Sequence, residues 1–305
     1  MPPHRTRVGV LVVLVVLLGC LLSACAAAEP DPPASAESAV RVASYDFSEN
    51  TILATVYAEG VRRAGLPVSL QAGVGTREVV EPALEQGVVD VVIDYLGTAV
   101  QFAAPDGERA GGTPEELRSA LRDSLAPRGV EVLDAAAAED QNGFAVSRAF
   151  ATRHGVSRLS ELAPLAGGLV FGGPPECRHR PLCLPGLEAV YGLRFGDVRN
   201  MPSRAATVEA LVAGQVEVGL LETTDARLQQ APVVLLDDDR SLQPHENVVP
   251  LVRGEALERW GERLREALDA VSARLTTADL IELNRAVEVE GLTADDAAAR
   301  WWDAG

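Results

Sequence analysis

Lysine is missing from this chain. All 27 basic residues are arginines, which removes Schiff-base chemistry and any lysine nucleophile. Histidine is almost as scarce, with four in 305 residues. Beyond the N-terminal segment only His154, His179 and His245 remain, in polar or loop contexts without metal-ligand spacing. No Gly-x-Ser-x-Gly elbow and no phosphate-binding P-loop occur. Gly73-Val-Gly-Thr lacks a third glycine in register and reads as a strand-to-helix turn with Thr76 as cap. Asp237-Asp238-Asp239 reads as a solvated loop. Catalysis is therefore left without a nucleophile–base pair.

Acids outnumber bases, 44 to 27, for a net charge of −17. Such a surface argues against nucleic acid as a partner and does not favour anionic lipid. Arg5 and Arg7 precede an almost wholly aliphatic run over residues 8–22, which closes in Leu22-Ser23-Ala24-Cys25. A charged start, a short apolar stretch and a small-residue close read as a signal peptide over 1–24, not a membrane span. The ending resembles the bacterial lipobox, which implies lipidation of Cys25 and a lipid anchor in the cell membrane. An ordinary cleavable signal is the other reading, and both place the domain outside the cytoplasm. Losing 1–24 removes two arginines and no acid, so −17 becomes −19. Residues 25–39, rich in Pro, Ala, Ser and Glu, form a tether too poor in bulky apolar groups to fold. About 265 residues follow, enough for one large domain or two lobes.

Cys20 leaves with the signal, so Cys177 and Cys183 are the remaining pair, six apart. In an oxidising compartment they are expected to form a local disulfide that pins an irregular loop. A zinc site needs two more ligands, and only His179 offers itself.

Apolar patterning predicts strands at 40–44, 66–71, 88–93 and 131–133, with helices over 48–63 and 76–86. Thr113-Pro-Glu-Glu opens a further helix with a threonine cap, a proline in the first turn and a glutamate three on. The rhythm restarts with strands at 143–147, 168–171, 217–221 and 233–236 and helices at 187–191 and 205–213. A strand at 247–252 leads into helices over 255–275, 277–287 and 293–302. Alternation of this kind predicts an α/β fold with largely parallel sheets in two lobes and a helical end.

In open α/β sheets the ligand crevice lies outside the carboxyl ends of the strands. Five segments fall there: Ser44-Tyr-Asp-Phe, Asp94-Tyr-Leu-Gly-Thr, Glu139-Asp-Gln-Asn-Gly, Gly172-Gly-Pro-Pro-Glu and Leu221-Glu-Thr-Thr-Asp. They mix aromatic, amide, hydroxyl and carboxylate groups, which suits a small polar ligand.

An ordered set of motifs then carries a resemblance over residues 40–302: Asp94-Tyr-Leu-Gly-Thr, Asp140-Gln-Asn-Gly-Phe-Ala-Val, Phe171-Gly-Gly-Pro-Pro-Glu with Pro185-Gly-Leu-Glu and Tyr191-Gly-Leu, Thr223-Thr-Asp, and Gln243-Pro-His-Glu-Asn-Val-Val-Pro. Together they resemble the osmoprotectant-type substrate-binding proteins of ABC importers, the glycine betaine, carnitine and choline binders. The resemblance implies a type II periplasmic-binding-protein fold, two lobes joined by two crossing strands and closing on a ligand. Lobe one is then 40–140 plus 246–305, and lobe two is 141–245.

In that family a quaternary ammonium sits in a box of aromatic faces, and an arginine holds the betaine carboxylate. Carried over by position, Tyr95 matches a box tyrosine and Thr98 its neighbouring hydroxyl. Asp140 and Asn142 fall on a polar wall, Thr223 belongs to the Thr-Thr-Asp motif, and Tyr45 lies in the first strand's binding turn. Arg178 or Arg180 is the implied carboxylate clamp. The sequence departs at Glu222, where the family carries an aromatic residue, at Glu246, and at Asn142, where some members carry tyrosine. Added carboxylates favour a cation that donates hydrogen bonds. The expectation is thus a monomeric, lipid-anchored solute receptor that delivers a small cationic or zwitterionic solute to an ABC permease, without cofactor or metal. The alternatives are a ligand-binding sensor without transport and an enzyme on the same two-lobe fold.

Overall fold

The computed structural model describes residues 38–103 and 110–304. The signal segment, Cys20 and the lipidation residue Cys25 lie outside the described residues, as does all of the tether but its last two positions.

Two five-stranded sheets organise the chain. The first uses β1 (Val40–Tyr45), β2 (Val68–Gly75), β3 (Val91–Tyr95), β4 (Val130–Val132) and β10 (Val248–Arg253), in the order β2-β1-β3-β10-β4. The second uses β5 (Asn142–Ser147), β6 (Val170–Gly173), β7 (Asp197–Asn200), β8 (Val218–Glu222) and β9 (Val233–Leu235), in the order β7-β6-β8-β5-β9. Pairing is parallel among β1, β2 and β3 and among β6, β7 and β8, while β10 and β5 run antiparallel to their neighbours. The expected parallel rhythm therefore carries one reversed strand per sheet, in each case the strand that follows a crossing from the other sheet.

Helices cover both faces, so the central strands are continuous apolar runs such as Val91-Val92-Ile93. On one face of the first sheet α1 (Ser48–Arg63) buries Ile52, Leu53, Val56 and Tyr57 against Val42 and Ile93. The C-terminal helices α8 (Gly254–Trp260), α9 (Glu262–Arg274), α10 (Thr277–Glu288) and α11 (Ala294–Asp303) close over α1 through Leu268, Val271, Leu280 and Trp301. The predicted single helix over 255–275 is broken at Gly261, whose φ of 66° suits glycine. On the opposite face lie α2 (Arg77–Glu85), α3 (Leu96–Ala103) and α4 (Pro114–Leu125), packed on Val92, Val249 and Leu251. The capping box at Thr113 and Glu116 forms as the sequence predicts. In the second sheet Phe144 and Val146 enter one core and Ala145 the other, as the strand alternation requires. Helices α5 (Arg148–His154), α6 (Leu184–Tyr191) and α7 (Arg204–Val212) pack on it.

The chain crosses between the sheets twice, at residues 133–141 and 236–247, and the two crossings pair with each other. Asp140 N–H donates to the Glu246 carbonyl at 3.2 Å, and Val248 N–H to the Ala138 carbonyl at 3.0 Å. Asp237 and Asp239 are exposed, as the composition predicts, whereas Asp238 is half-buried. Asp238 accepts from Leu242 N–H at 2.9 Å, from Gln243 N–H at 2.7 Å and from the Tyr191 hydroxyl, and so shapes the return crossing. Cys177 and Cys183 are joined, with Cα atoms 5.3 Å apart. Among the described residues no helix is long and apolar enough to cross a membrane.

Candidate functional site

Strand ends of both sheets converge beside the crossings. From the first sheet come three aromatic rings. Tyr45 ends β1 and Tyr95 ends β3; Phe47, one residue before α1, lies between them at 6.2 Å from each, with interplanar angles of 15° and 28°. Tyr45 and Tyr95 are buried, whereas Phe47 is 37% exposed. Asn50 in the first turn of α1 locks the arrangement, accepting from Tyr45 N–H and donating to the Ile93 carbonyl, both at 2.8 Å.

The face of Tyr45 is occupied. The Arg77 guanidinium lies 4.9 Å from its centroid and pairs with Asp94, which also accepts the Tyr45 hydroxyl at 2.6 Å. Burial alone would lower the Arg77 pKa, but the Asp94 charge and hydrogen bonds raise it well above the usual value. Burial, with Asp94 beside it, also raises Tyr45. Tyr45 is thus a fixed wall, with the Phe47 and Tyr95 rings beyond it.

Beside Tyr95 stands a buried carboxylate cluster. Glu49, in the first turn of α1, accepts the Tyr95 hydroxyl at 2.7 Å, Asn284 Nδ2 at 2.6 Å and the Thr224 hydroxyl at 2.5 Å. One carboxylate therefore ties the first sheet, α10 and the loop after β8. Asp140 accepts the Thr223 hydroxyl at 3.1 Å and Thr224 N–H at 3.2 Å. Burial raises both acids, and each is pushed further by neighbouring carboxylates, Glu222 among them. Tyr95 is raised in turn by burial and then by Glu49 and Asp140. Glu222 ends β8 opposite Asn142 and is paired with Arg204, the first residue of α7. Asn142 Nδ2 donates to Gln243 Oε1 at 3.2 Å.

A second buried acid stands on the return crossing. Glu246 accepts Thr98 N–H at 2.9 Å and also the Thr98 hydroxyl. Burial raises it to about 7. Gly97 makes this possible: its N–H donates to the His245 carbonyl at 3.0 Å, and a Cβ there would collide with Pro244.

The structure thus brings Tyr45, Tyr95, Asp140, Asn142, Glu222 and Thr223 to one region, with Thr98 and Glu246 adjoining it. Arg178 is exposed and donates to the Val198 carbonyl at 2.7 Å, on the outer strand β7. Arg180 lies 3.4 Å from Glu78 of α2 and links elements of the two sheets. Phe47, Glu49, Arg77, Arg204 and Asn284 were not singled out by motif, and Thr224 stood in the Thr223-Thr-Asp motif without a role of its own. Phe47 stood in a segment marked by its place after β1. Glu49, Arg77 and Arg204 each sit in a helical first turn, where their sequence context reads as ordinary helix. Of two surface grooves, the smaller, of about 310 Å³, is lined by Asn142, Thr223 and Gln243 of this region, and the larger, of about 550 Å³, lies around Arg118, Asp134 and Asp269. The larger lies away from the rings and carboxylates and carries no comparable chemistry.

Over 294 residues, 93% of each chain, the protein is 28% identical to the glycine-betaine-binding protein of Pseudomonas aeruginosa. It is 24% identical over 277 residues to the glycine betaine-binding protein YehZ of Escherichia coli, covering 88% of this chain and 90% of that one. The fold resembles that of a glycine betaine/carnitine/choline ABC transporter protein, with a TM-score of 0.69 and 20% identity over 87% of this chain and 98% of that one. Two lobes with a ligand cleft between them, the type II periplasmic-binding-protein architecture, are therefore the fold of this chain. Residues 38–304 match the substrate-binding domain of ABC-type glycine betaine transport systems, and the chain belongs to that family of solute-binding transport proteins.

Proposed function

We propose that the protein is an extracytoplasmic receptor, anchored through lipid on Cys25, that binds a small cationic or zwitterionic solute and presents it to the permease of an ABC importer as a monomer. The lobes are residues 40–140 with 246–305, and 141–245. The observation that carries the solute class is the meeting of Phe47 and Tyr95 with the buried Glu49–Asp140 pair. Aromatic faces attract a cation by ~0.5–2 kcal/mol each, and a cation beside Glu49 and Asp140, whose carboxyls burial pushes toward the neutral form, would favour their ionised form. Relatives support the class: those of Pseudomonas aeruginosa and Escherichia coli carry glycine betaine in their names, and one of Listeria monocytogenes carries carnitine. Binding without catalysis is supported by membership of a family of solute-binding transport proteins.

Thermal unfolding of the purified protein against glycine betaine, choline, carnitine, ectoine, polyamines and arginine-like amines tests the reading. A solute at a hundredfold excess over its Kd should stabilise the fold by ~2.7 kcal/mol. Stabilisation by neutral sugars or by dicarboxylates instead would overturn the cationic class.

A further inference from the structure

A single residue bridges Glu49 and Asp140. Thr224 N–H donates to Asp140 Oδ1 at 3.2 Å, and the Thr224 hydroxyl donates to Glu49 Oε2 at 2.5 Å. Both acids are buried, Glu49 at 5% and Asp140 at 7% exposure. Two like charges so placed do not both ionise. One proton therefore belongs to the pair, and the hydrogen bonds decide where it sits.

Glu49 is supplied with donors on both oxygens. Oε1 accepts the Tyr95 hydroxyl, and Oε2 accepts Asn284 Nδ2 and the Thr224 hydroxyl. Burial raises Glu49, but these three bonds favour its ionised form and lower it again. Asp140 is supplied on one side alone. Oδ1 accepts the Thr223 hydroxyl and Thr224 N–H, and among the described residues no donor reaches Oδ2. Burial raises Asp140 well above the usual carboxylate range, and the charges of Glu49 and Glu222 raise it further. A buried carboxyl oxygen without a donor takes either a proton or a cation.

The charged groups packed about Asp140 are engaged elsewhere. Tyr95 at the end of β3 gives its hydroxyl to Glu49, and Glu222 of β8 is paired with Arg204 of α7. Arg227 is paired with Asp225 and with Glu288 of α10. On the crossings Glu139 meets His245 at 3.1 Å, and Glu246 is bonded to Thr98. Gln141, Asn142 and Thr223, which adjoin Asp140, line the groove of about 310 Å³, so Asp140 stands beside an opening.

We infer that Asp140 holds a proton in the solute-free protein and releases it to solvent as the solute's cationic group arrives, so that binding is an exchange of a proton for a cation. The inference rests on the solute reading above and deepens it. One positive charge enters, one proton leaves Asp140, and no bond but O–H is broken. Glu49 keeps its charge and its three donors throughout. At high pH the cation meets a carboxylate, whereas at lower pH it must displace a proton. Affinity therefore rises with pH until Asp140 is ionised in the solute-free protein.

Titration calorimetry in buffers of different ionisation enthalpy counts the protons released. Choline, glycine betaine and agmatine are the probes, since none changes its charge between about pH 5 and 8. With at least one of them the wild-type protein should release close to one proton, and its affinity should rise by up to ~10-fold per pH unit. Asp140→Asn keeps the oxygen that Thr223 and Thr224 bond and has no proton to give. It should release none. Its loss of affinity, ~10–100-fold at the upper end of the range, should shrink as pH falls and wild-type Asp140 itself becomes neutral, a pattern that a folding defect does not produce. Glu246, raised to about 7, is present in both proteins and drops out of the difference. Binding by the wild type without proton release, or equal release by both proteins, overturns the inference and leaves the cationic class standing. Should the asparagine variant not fold, the wild-type proton count and pH slope decide. Failure of all three probes to bind overturns the inference and the solute reading together.

Discussion

The two sheets are built alike and finished differently. Their strand orders correspond, β2-β1-β3-β10-β4 against β7-β6-β8-β5-β9, and so do their registers. Tyr95 at the end of β3 faces Val248, and Glu222 at the end of β8 faces Asn142, each in the strand that follows a crossing. One residue on, Leu96 N–H reaches the Asn247 carbonyl, and Thr223 N–H reaches the Gln141 carbonyl. Two residues before each reversed strand stands a buried acid, Glu246 or Asp140, which accepts a threonine hydroxyl and a backbone N–H from the segment after the central strand, a helix in one case and a loop in the other. The scaffold therefore repeats down to single hydrogen bonds. What differs is the chemistry at equivalent positions: rings on the first sheet, an acid–arginine pair on the second. Architecture here is set by backbone pairing and apolar alternation, which tolerate many side chains at strand ends. Recognition is set by those ends.

The largest expected effect comes from breaking the support of the ring side. Arg77 and Asp94 are both buried, and Arg77 also covers the Tyr45 ring. Arg77→Ala strands Asp94 without its partner and should cost about 3–5 kcal/mol of stability, read by urea unfolding. On the second sheet Glu222 of β8 and Arg204 of α7 are part-exposed, so Arg204→Ala should cost far less. Equal losses would show that the two sides are not differently built.

A pH experiment isolates the acid on the return crossing. Glu246 has its pKa raised from 4.5 to about 7 by burial. The folded state therefore holds this proton more tightly than the unfolded chain. Stability from this group is fully present below about pH 4.5 and falls as pH rises to about 7, then stays level. The fall is up to ~3 kcal/mol. Other raised acids, Glu49, Asp140 and Glu81, slope the same way, so the informative quantity is a difference. Glu246→Gln should remove this share of the slope between pH 4.5 and 7 and leave the rest. An unchanged slope would mean that Glu246 is ionised in the fold at no cost.

On the ring side, Tyr95→Ala should weaken solute binding by about 1–3 kcal/mol, the range of a buried aromatic anchor, with calorimetry as the measurement. Tyr95→Phe separates the ring from the hydroxyl. It keeps the π face but removes the bond to Glu49, so a loss as large as that of alanine would assign the effect to Glu49 and not to the cation.

Much of the scaffold is legible in the sequence because burial leaves a periodic trace. The strands at 40–44 and 143–147, the helix that ends at Arg63, and the capping box at Thr113 all read directly from apolar spacing and cap chemistry. Strand β7, Asp-Val-Arg-Asn, leaves no trace, since an edge strand with one apolar residue has no alternation to detect. The site divides the same way. Tyr95 and Asp140 stand in motifs, but Glu49 gains its meaning only when Thr224 and Asn284, 175 and 235 residues away, arrive to bond it. A carboxylate in a helical first turn is ordinary in sequence; its burial is decided by elements far along the chain. Arg204 is hidden for the same reason.

The equivalence of Tyr95 and Glu222 suggests the sharpest substitution. Glu222→Phe gives the second sheet a ring where the first has one and removes the acid from Arg204. If the ring adds a cation–π contact, choline should bind more tightly by ~0.5–2 kcal/mol, a gain that Glu222→Gln, which deletes the charge without adding a face, does not provide. Glycine betaine, which carries the same quaternary ammonium, should gain by the same range in Glu222→Phe. Titration of the two solutes against the two variants separates ring from charge. A choline affinity that stays fixed in Glu222→Phe would place position 222 outside the reach of the cationic head and leave the first sheet to supply every aromatic contact.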